Sequence, residues 1–204
     1  MSELRPAVFL DRDGTLNEDA GYIDRLERFV LFPYAIDAIR LLRRAGYLAI
    51  VLTNQAGVAK GLYPETFVDE ARRYVEARCA SGGTALDGHY YCPHLPDADV
   101  EAYRRECDCR KPKPGLALRA AAELGIDLAR SVVIGDRWRD IEVARAVGAR
   151  AILVRTGYGA SEERNPPPGL RADVVCNNVI DATVWLIEHP GLHAPRPASQ
   201  GPAR

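Results

Sequence analysis

The chain has 204 residues, 47% hydrophobic and 27% charged, with 27 basic side chains against 28 acidic ones, which suits one globular domain with an ample core. A balance so close to neutral gives no bulk attraction to nucleic acid or a membrane surface, so an anionic partner would be small and held in a local positive pocket. No secretion-type leader is evident and no apolar run nears the roughly 20 residues that span a bilayer, so a soluble, cytoplasmic protein is expected.

The run Ala7 to Asp11 predicts a buried strand, and it opens into Asp11-Arg12-Asp13-Gly14-Thr15. Side chains alternate along a strand, so Asp11 and Asp13 point roughly the same way while Gly14 lets the backbone turn aside. Two carboxylates so placed can share magnesium with a phosphate; the tetrapeptide alone also fits a turn or part of a calcium loop. Pro33 to Ala45 predicts a helix with Ile36, Ile39 and Leu42 on one face, closed by Gly46. Tyr47 to Thr53 reads as a second buried strand. Its end, Thr53-Asn54-Gln55, offers a hydroxyl and two amides to phosphate oxygens, or forms a plain polar loop. The turn Lys60 to Tyr63 leads to a helix from Pro64 to about Arg78, and a short strand, Gly88 to Tyr91, follows Gly82-Gly83.

Cys92, His94, Cys107 and Cys109 then supply three thiolates and an imidazole, the full tetrahedral set of a structural zinc site with no position open to water. Free thiols are the other reading, and an odd total of five cysteines argues against a disulfide scaffold. Cys109 directly precedes Arg110 and Lys111, so zinc would tie down a hydrophilic loop and fix that cationic pair. Two prolines stiffen this segment ahead of a helix, Pro114 to Leu124, whose first amides favour anions; a solvated basic turn is the alternative. Strand Ser131 to Gly135 ends in Gly135-Asp136-Arg137-Trp138-Arg139-Asp140, before a helix from Arg139 to Val147. Asp136 can ligate magnesium with Asp140 behind it, and can also cap the helix.

Ala151 to Val154 predicts a strand, Ser161 to Leu170 a loop, Ala172 to Cys176 an edge strand and Asp181 to Glu188 a last helix. From Pro190 to Arg204 the chain is rich in Pro, Ala and Gly and predicts a mobile tail. The expected organisation is one domain over 1–189, with a zinc loop at 92–109, and a tail over 190–204. Alternating strands and helices predict a doubly wound α/β domain with a parallel sheet, where ligands sit beyond the carboxyl ends of the strands. Asp11, Thr53 and Asp136 all fall at such ends.

The ordered set Asp11-x-Asp13-Gly14-Thr15, Thr53, Lys111 and Gly135-Asp136-x-x-x-Asp140 resembles the haloacid dehalogenase superfamily of phosphohydrolases across Ala7 to Val154. The resemblance implies Asp11 as a nucleophile that becomes an aspartyl-phosphate, and Asp13 as the acid and then the base. It also implies magnesium between the carboxylates of Asp11 and Asp136 and the backbone carbonyl of Asp13. Lys111 would screen the like charges, and Thr53 completes the catalytic set.

The segments FLDRDGTLNED, VLTNQAGVAKG, YYCPH, CDCRKPKPG and IGDRWRD are further similar to the family of D-glycero-D-manno-heptose 1,7-bisphosphate 7-phosphatases. By position this implies a sugar pocket lined by Asp19, Gly21 and Tyr22, with Asn54 and Gln55 nearby. Arg110, with Arg137, would receive a second phosphate. Arg137 stands where the family often has Lys, which keeps the charge and changes its geometry. The expected partner is a small sugar bisphosphate, with no nucleic acid and no membrane, and the chain is expected to act as a monomer without a large cap domain. The alternatives are a histidinol-phosphate phosphatase, which shares the catalytic set, and an inactive zinc-stabilised binding module.

Overall fold

The computed structural model describes residues 4–190. In chain order the elements are β1 (Ala7–Leu10), α1 (Ala35–Arg44), β2 (Leu48–Asn54), α2 (Ala56–Ala59), α3 (Glu65–Ser81), β3 (Gly88–Cys92) and α4 (Gly115–Leu124). They continue with β4 (Val132–Gly135), α5 (Trp138–Val147), β5 (Arg150–Val154), α6 (Gly159–Arg164), β6 (Val174–Cys176) and α7 (Val179–Glu188). Six parallel strands form one sheet in the order β3-β2-β1-β4-β5-β6. The chain winds outward from β1 through β2 to β3, returns to β1's other side as β4, and winds the opposite way. The strand order therefore reverses between β1 and β4, where a crevice opens at the carboxyl ends of a doubly wound sheet.

Both sheet faces are covered, which is why the strands read as continuous apolar runs. On one face Val8, Leu10, Ala49 and Val51 pack against Ile39 and Leu42 of α1, Val68 and Val75 of α3, and Leu186 of α7. On the other, Phe9, Ile50, Leu52 and Val133 pack against Leu116 and Ala120 of α4 and Ile141 and Ala144 of α5. The central strand β1 is fully buried over its whole length, so the residue after it, Asp11, emerges from a rigid support.

The expected fold class and element order are observed, and β6 is an edge strand as expected. Residues 161–164, read above as loop, instead complete the short helix α6. Its inner side is held by polar contacts: the Trp138 backbone N–H donates to Glu162 Oε2 at 3.0 Å and the Trp138 indole to the Glu162 carbonyl at 2.8 Å. Such a helix carries no apolar period for a sequence pattern to detect. The expected tail lies, over 191–204, outside the described residues. Among the described residues no helix is long and apolar enough to cross a membrane.

His89 sits in β3 with both ring nitrogens buried and without a hydrogen-bond partner. Burial, reinforced by the Arg12 and Arg72 charges, pushes its imidazole down from 6.5 to about 3. The unfolded chain then takes up a proton that the folded one refuses, so stability from neutral His89 is complete above about pH 6.5 and is lost as pH falls toward 3. His89→Leu is expected to flatten the decline in unfolding free energy below pH 6.5, a decline that approaches about 1.4 kcal/mol per pH unit from this group. Denaturant titrations of both proteins across that range check it; parallel profiles would count against the assignment.

Candidate active site

Where β1, β2 and β4 end, the sheet presents Asp11, Thr53 and Asp136 side by side, and the loop between β3 and α4 brings Lys111 into the same space. The Lys111 ammonium is buried, 2.8 Å from Asp11 Oδ1, 2.6 Å from Asp140 Oδ1 and 2.8 Å from the Leu52 carbonyl oxygen. Burial alone would lower its pKa, but the Asp11 and Asp140 charges outweigh that and hold it above its ordinary value. The ammonium donates a hydrogen bond to the Leu52 carbonyl and lies within ion-pair distance of both carboxylates, while Asp140 Oδ1 has no hydrogen-bond partner. Asn54 fixes the backbone beneath: its amide donates to the Lys111 carbonyl and accepts from the Lys111 N–H, both at 3.0 Å.

Asp11, Asp136 and Asp140 bring carboxylate oxygens within 4.8 Å of one another, all buried. Burial and then repulsion from Asp11 and Asp140 push Asp136 up to about 8, and burial with Asp140 pushes Asp11 up to about 6 against the pull of Lys111. Asp136 Oδ2 accepts from the Tyr158 N–H at 2.8 Å, whereas its Oδ1 is buried with no partner. An orphaned carboxylate oxygen in an all-oxygen cluster suits a hard divalent cation such as Mg2+. The approach of Asp136 depends on two glycines. A Cβ at Gly14 (φ +85) or at Gly157 (φ +56) would lie 2.3 Å from Asp136 Oδ2.

The expected helix cap by Asp136 is not what forms. Helix α5 starts at Trp138 with Arg137 at its N-cap, and it is Asp140 Oδ2 that accepts from the Arg137 N–H at 3.2 Å. Asp140 therefore joins Lys111 to the start of α5 and lies within the acid cluster itself.

Asp13 has the opposite electrostatics. The guanidinium of buried Arg12 grips both its oxygens, at 3.1 and 2.9 Å, and the side-chain amides of Asn17 and Gln55 each donate to it at 2.9 Å. Burial alone would raise Asp13, yet the Arg12 charge and these hydrogen bonds outweigh it and hold the carboxyl below its usual range. Gln55 also donates to Thr53 Oγ1 at 2.8 Å and accepts from Arg12 and the Tyr63 hydroxyl, so one amide ties Asp13 to Thr53.

In front of these groups lies a cavity of about 230 Å3. Among the residues singled out from sequence, Asp13, Asp19, Gly21, Tyr22, Asn54, Gln55, Arg110 and Arg137 all line it. Asp19 Oδ1 accepts from the Gly21 N–H at 2.9 Å, which shapes that wall. Arg137 lies 3.3 Å from the centre of the Tyr158 ring and 3.6 Å from Glu162 Oε1. Sequence reasoning missed Tyr63, Tyr158 and Arg139 as lining residues. Arg139 carried a signal, since it falls inside the Gly135 to Asp140 motif; Tyr158 carried none, because only the packing of the β5–α6 turn brings it here.

The sulfurs of Cys92, Cys107 and Cys109 lie 3.2 to 3.5 Å apart, with His94 Nδ1 at 3.4 Å from Cys109 and 3.8 Å from Cys92. Ligands about 2.3 Å from a tetrahedral zinc stand about 3.8 Å from one another, so the four fit that ion. The cluster adjoins the catalytic end directly: Cys92 pairs with Asn54 across β3 and β2, and the Gln55 N–H donates to the Cys92 carbonyl at 2.8 Å.

This fold and this site define a hydrolase of the haloacid dehalogenase type, and residues 108–182 match the family model described as HAD-hyrolase-like. The chain is 41% identical over 183 residues, 89% of its length and 93% of the relative's, to the D-glycero-beta-D-manno-heptose-1,7-bisphosphate 7-phosphatase of Escherichia coli K12. It is 40% identical to the protein of the same name from Vibrio cholerae, over 90% of this chain and 97% of that one. A D,D-heptose 1,7-bisphosphate phosphatase from B. bronchiseptica, crystallised with magnesium and phosphate, superposes with a TM-score of 0.80 at 28% identity, covering 90% of this chain and 99% of the other. The chain belongs to the D-glycero-beta-D-manno-heptose-1,7-bisphosphate 7-phosphatase family.

Because Asp136 and Asp11 must lose protons to accept a cation, Mg2+ binding is expected to strengthen from about pH 6 to about pH 8. The rise in melting temperature at a fixed, sub-saturating Mg2+ concentration measures this, and a pH-independent rise would refute it. Stripping zinc with a chelator is expected to lower the melting temperature by about 5–10 °C and to reduce turnover by loosening Lys111. Calorimetry and rate assays on the stripped protein, with metal analysis before and after, test that pair of effects.

Proposed function

We propose that this chain is a Mg2+-dependent phosphatase that removes the 7-phosphate of D-glycero-D-manno-heptose 1,7-bisphosphate, in the synthesis of nucleotide-activated heptose. One observation carries the reading. A buried nucleophilic carboxylate paired with a buried ammonium lies close to a second carboxylate of distinct environment, and that second carboxylate lines a cavity together with Arg110, Arg137 and Arg139. Family membership supplies the substrate class. One chain brings every named group together, so the reading needs no second copy. It assigns 1–189 to the catalytic domain and leaves 190–204 as an appendage, and it places the enzyme in the cytoplasm.

Asp11 is the nucleophile. Its carboxylate oxygen bonds to phosphorus as the bond from phosphorus to the leaving sugar oxygen breaks, giving an aspartyl-phosphate. Lys111 keeps Asp11 ionised and screens the approach of one anion to another. Asp13 passes a proton to the departing alkoxide and then takes one from the water that attacks phosphorus and frees Asp11. Its depressed pKa leaves it ionised before substrate arrives, and the negative phosphate raises it into use. Asp11, Asp136 and the Asp13 carbonyl would hold Mg2+, with Asp140 beside them, and the bound ion would supply charge neutralisation at the phosphoryl oxygens. Thr53 and Gln55 hold Asp13 in register. Asp19, Gly21, Tyr22 and Asn54 line the sugar end, where Arg110 and Arg137 receive the phosphate that is retained. Cys92, His94, Cys107 and Cys109 would bind Zn2+ and set the loop that carries Arg110 and Lys111.

Phosphate release from both anomers of the heptose bisphosphate, from histidinol phosphate and from fructose 1,6-bisphosphate tests the substrate assignment. A heptose bisphosphate is expected to give the highest kcat/KM, and a preference for histidinol phosphate would overturn it. Asp11→Asn is expected to abolish turnover, by at least about 10,000-fold relative to the parent, while melting like the parent protein. Appreciable turnover in that variant would falsify the covalent route.

A further inference from the structure

Resting on the phosphatase reading of this site, we propose that Lys60 is a positioning residue: its ammonium holds the Tyr22 ring in place along the cavity and so sets how tightly the sugar end of a substrate is bound. Tyr22 reaches the cavity from the loop 18–24. That loop has little apolar anchorage, since among residues 18–24 only Ile23 is buried. Its other ties fix backbone or acids rather than the ring. The Glu18 N–H donates to the Val30 carbonyl at 2.9 Å, and Arg28 donates to Asp24 at 3.0 Å and to the Tyr22 and Ala20 carbonyls at 3.3 and 3.4 Å. The Tyr22 side chain is itself exposed, and the cation that meets its ring is Lys60, whose Nζ lies 5.2 Å from the ring centre. A cation within about 6 Å of an aromatic face is drawn to it.

Lys60 is well placed for this because it stands on a rigid base. All four residues of α2 are buried, and the Lys60 N–H donates to the Ala56 carbonyl at 3.0 Å. From the other side the 92–109 loop is fastened to the same turn: the Val100 N–H donates to the Ala59 carbonyl at 2.9 Å. The acids of that loop that face the ammonium are Asp97 and Asp99, and neither forms an ion pair with it among the described residues. Lys60 therefore stands where the 18–24 loop, α2 and the 92–109 loop meet. A ring already held before substrate arrives does not have to be ordered on binding, which spares part of the entropy cost of association. The hydrogen bonds and ion pairs of Asp11, Asp13 and Lys111 do not include Lys60, so its influence falls on binding and leaves the chemical step alone.

The test compares heptose bisphosphate with acetyl phosphate, which carries a phosphate and no sugar, on the whole protein with Mg2+. In Lys60→Gln, KM for the bisphosphate is expected to rise about 2- to 5-fold, the range of an exposed cation and aromatic pair, with kcat unchanged and kcat/KM for acetyl phosphate unchanged. Lys60→Arg keeps a cation that stacks on aromatic faces and is expected to restore the parent KM. A cycle with Tyr22→Leu shows whether Lys60 acts through the ring: once the ring is gone, Lys60→Gln is expected to add nothing. Both side chains are exposed, so the variants keep the fold. A parent-like KM in Lys60→Gln would overturn the proposal, as would a parallel loss on acetyl phosphate or an undiminished effect of Lys60→Gln in the Tyr22→Leu background, which means direct contact with substrate. A parent that hydrolyses neither ester would sink the phosphatase reading. Deuterium uptake over 18–24 then judges the pair by itself: faster uptake in Lys60→Gln supports it, and unchanged uptake overturns it.

Discussion

A buried ammonium between two carboxylates and a carbonyl sets the terms for the rest of this molecule. Removing one member of such a group leaves an uncompensated charge in the interior, at a cost of about 3–5 kcal/mol, so Lys111 has to be delivered to one place. It comes from a loop that is neither helix nor strand, and the surrounding structure compensates for the missing regularity. Asn54 grips its backbone from the tip of β2. The Gly115 N–H closes the segment by donating to the Asp108 carbonyl at 2.9 Å, and a Cβ on Gly115 would come within 2.4 Å of that oxygen. The cysteine and histidine cluster ends at Cys109, two residues before Lys111. On the proposed reading, zinc held by that cluster would fix a polar loop that cannot bury an apolar face.

The two carboxylates of the Asp11-x-Asp13 pair, one residue apart, are driven in opposite directions by their neighbours. Asp11 faces the interior and other acids, so burial and repulsion raise it to about 6. Asp13 faces the Arg12 fork and two amides, and is lowered. On the proposed reading, separating the environments of the two carboxylates gives one site both a nucleophile and a proton carrier. The alternation of side chains along a strand places them together; only their partners make them different.

Much of the fold was legible in the chain because its signals are strong and local. Continuous apolar runs bounded by Gly and Pro marked the strands, and helices α1, α4 and α5 announced themselves by apolar period and a following Gly. The parts that went unread are held by polar contacts or are too short to show a period. Helix α6 rests on Glu162 and Trp138, and α2 is a four-residue segment between β2 and a turn. Arg12, placed between two candidate catalytic acids, gave no hint of its own role. A buried arginine is recognisable only by what surrounds it, here Asp13, Gln55 and the Phe29 ring at 5.2 Å.

By itself the sequence determined the chemical types and their order along the chain: acids after the first and fourth strands, a hydroxyl after the second, a stiffened cation before a helix, and four metal-ligating groups beside it. Those follow from residue identity and short-range spacing, which act within a turn or a strand. Tertiary structure alone decided that Asp140 joins the acid cluster, that Lys111 is buried between Asp11 and Asp140, that Tyr158 and Gly157 close over Asp136, and that Arg139 is left facing the cavity without a partner. Each depends on distances between segments far apart in the chain, and those distances are set by how two packed faces bring the ends of six parallel strands to one edge.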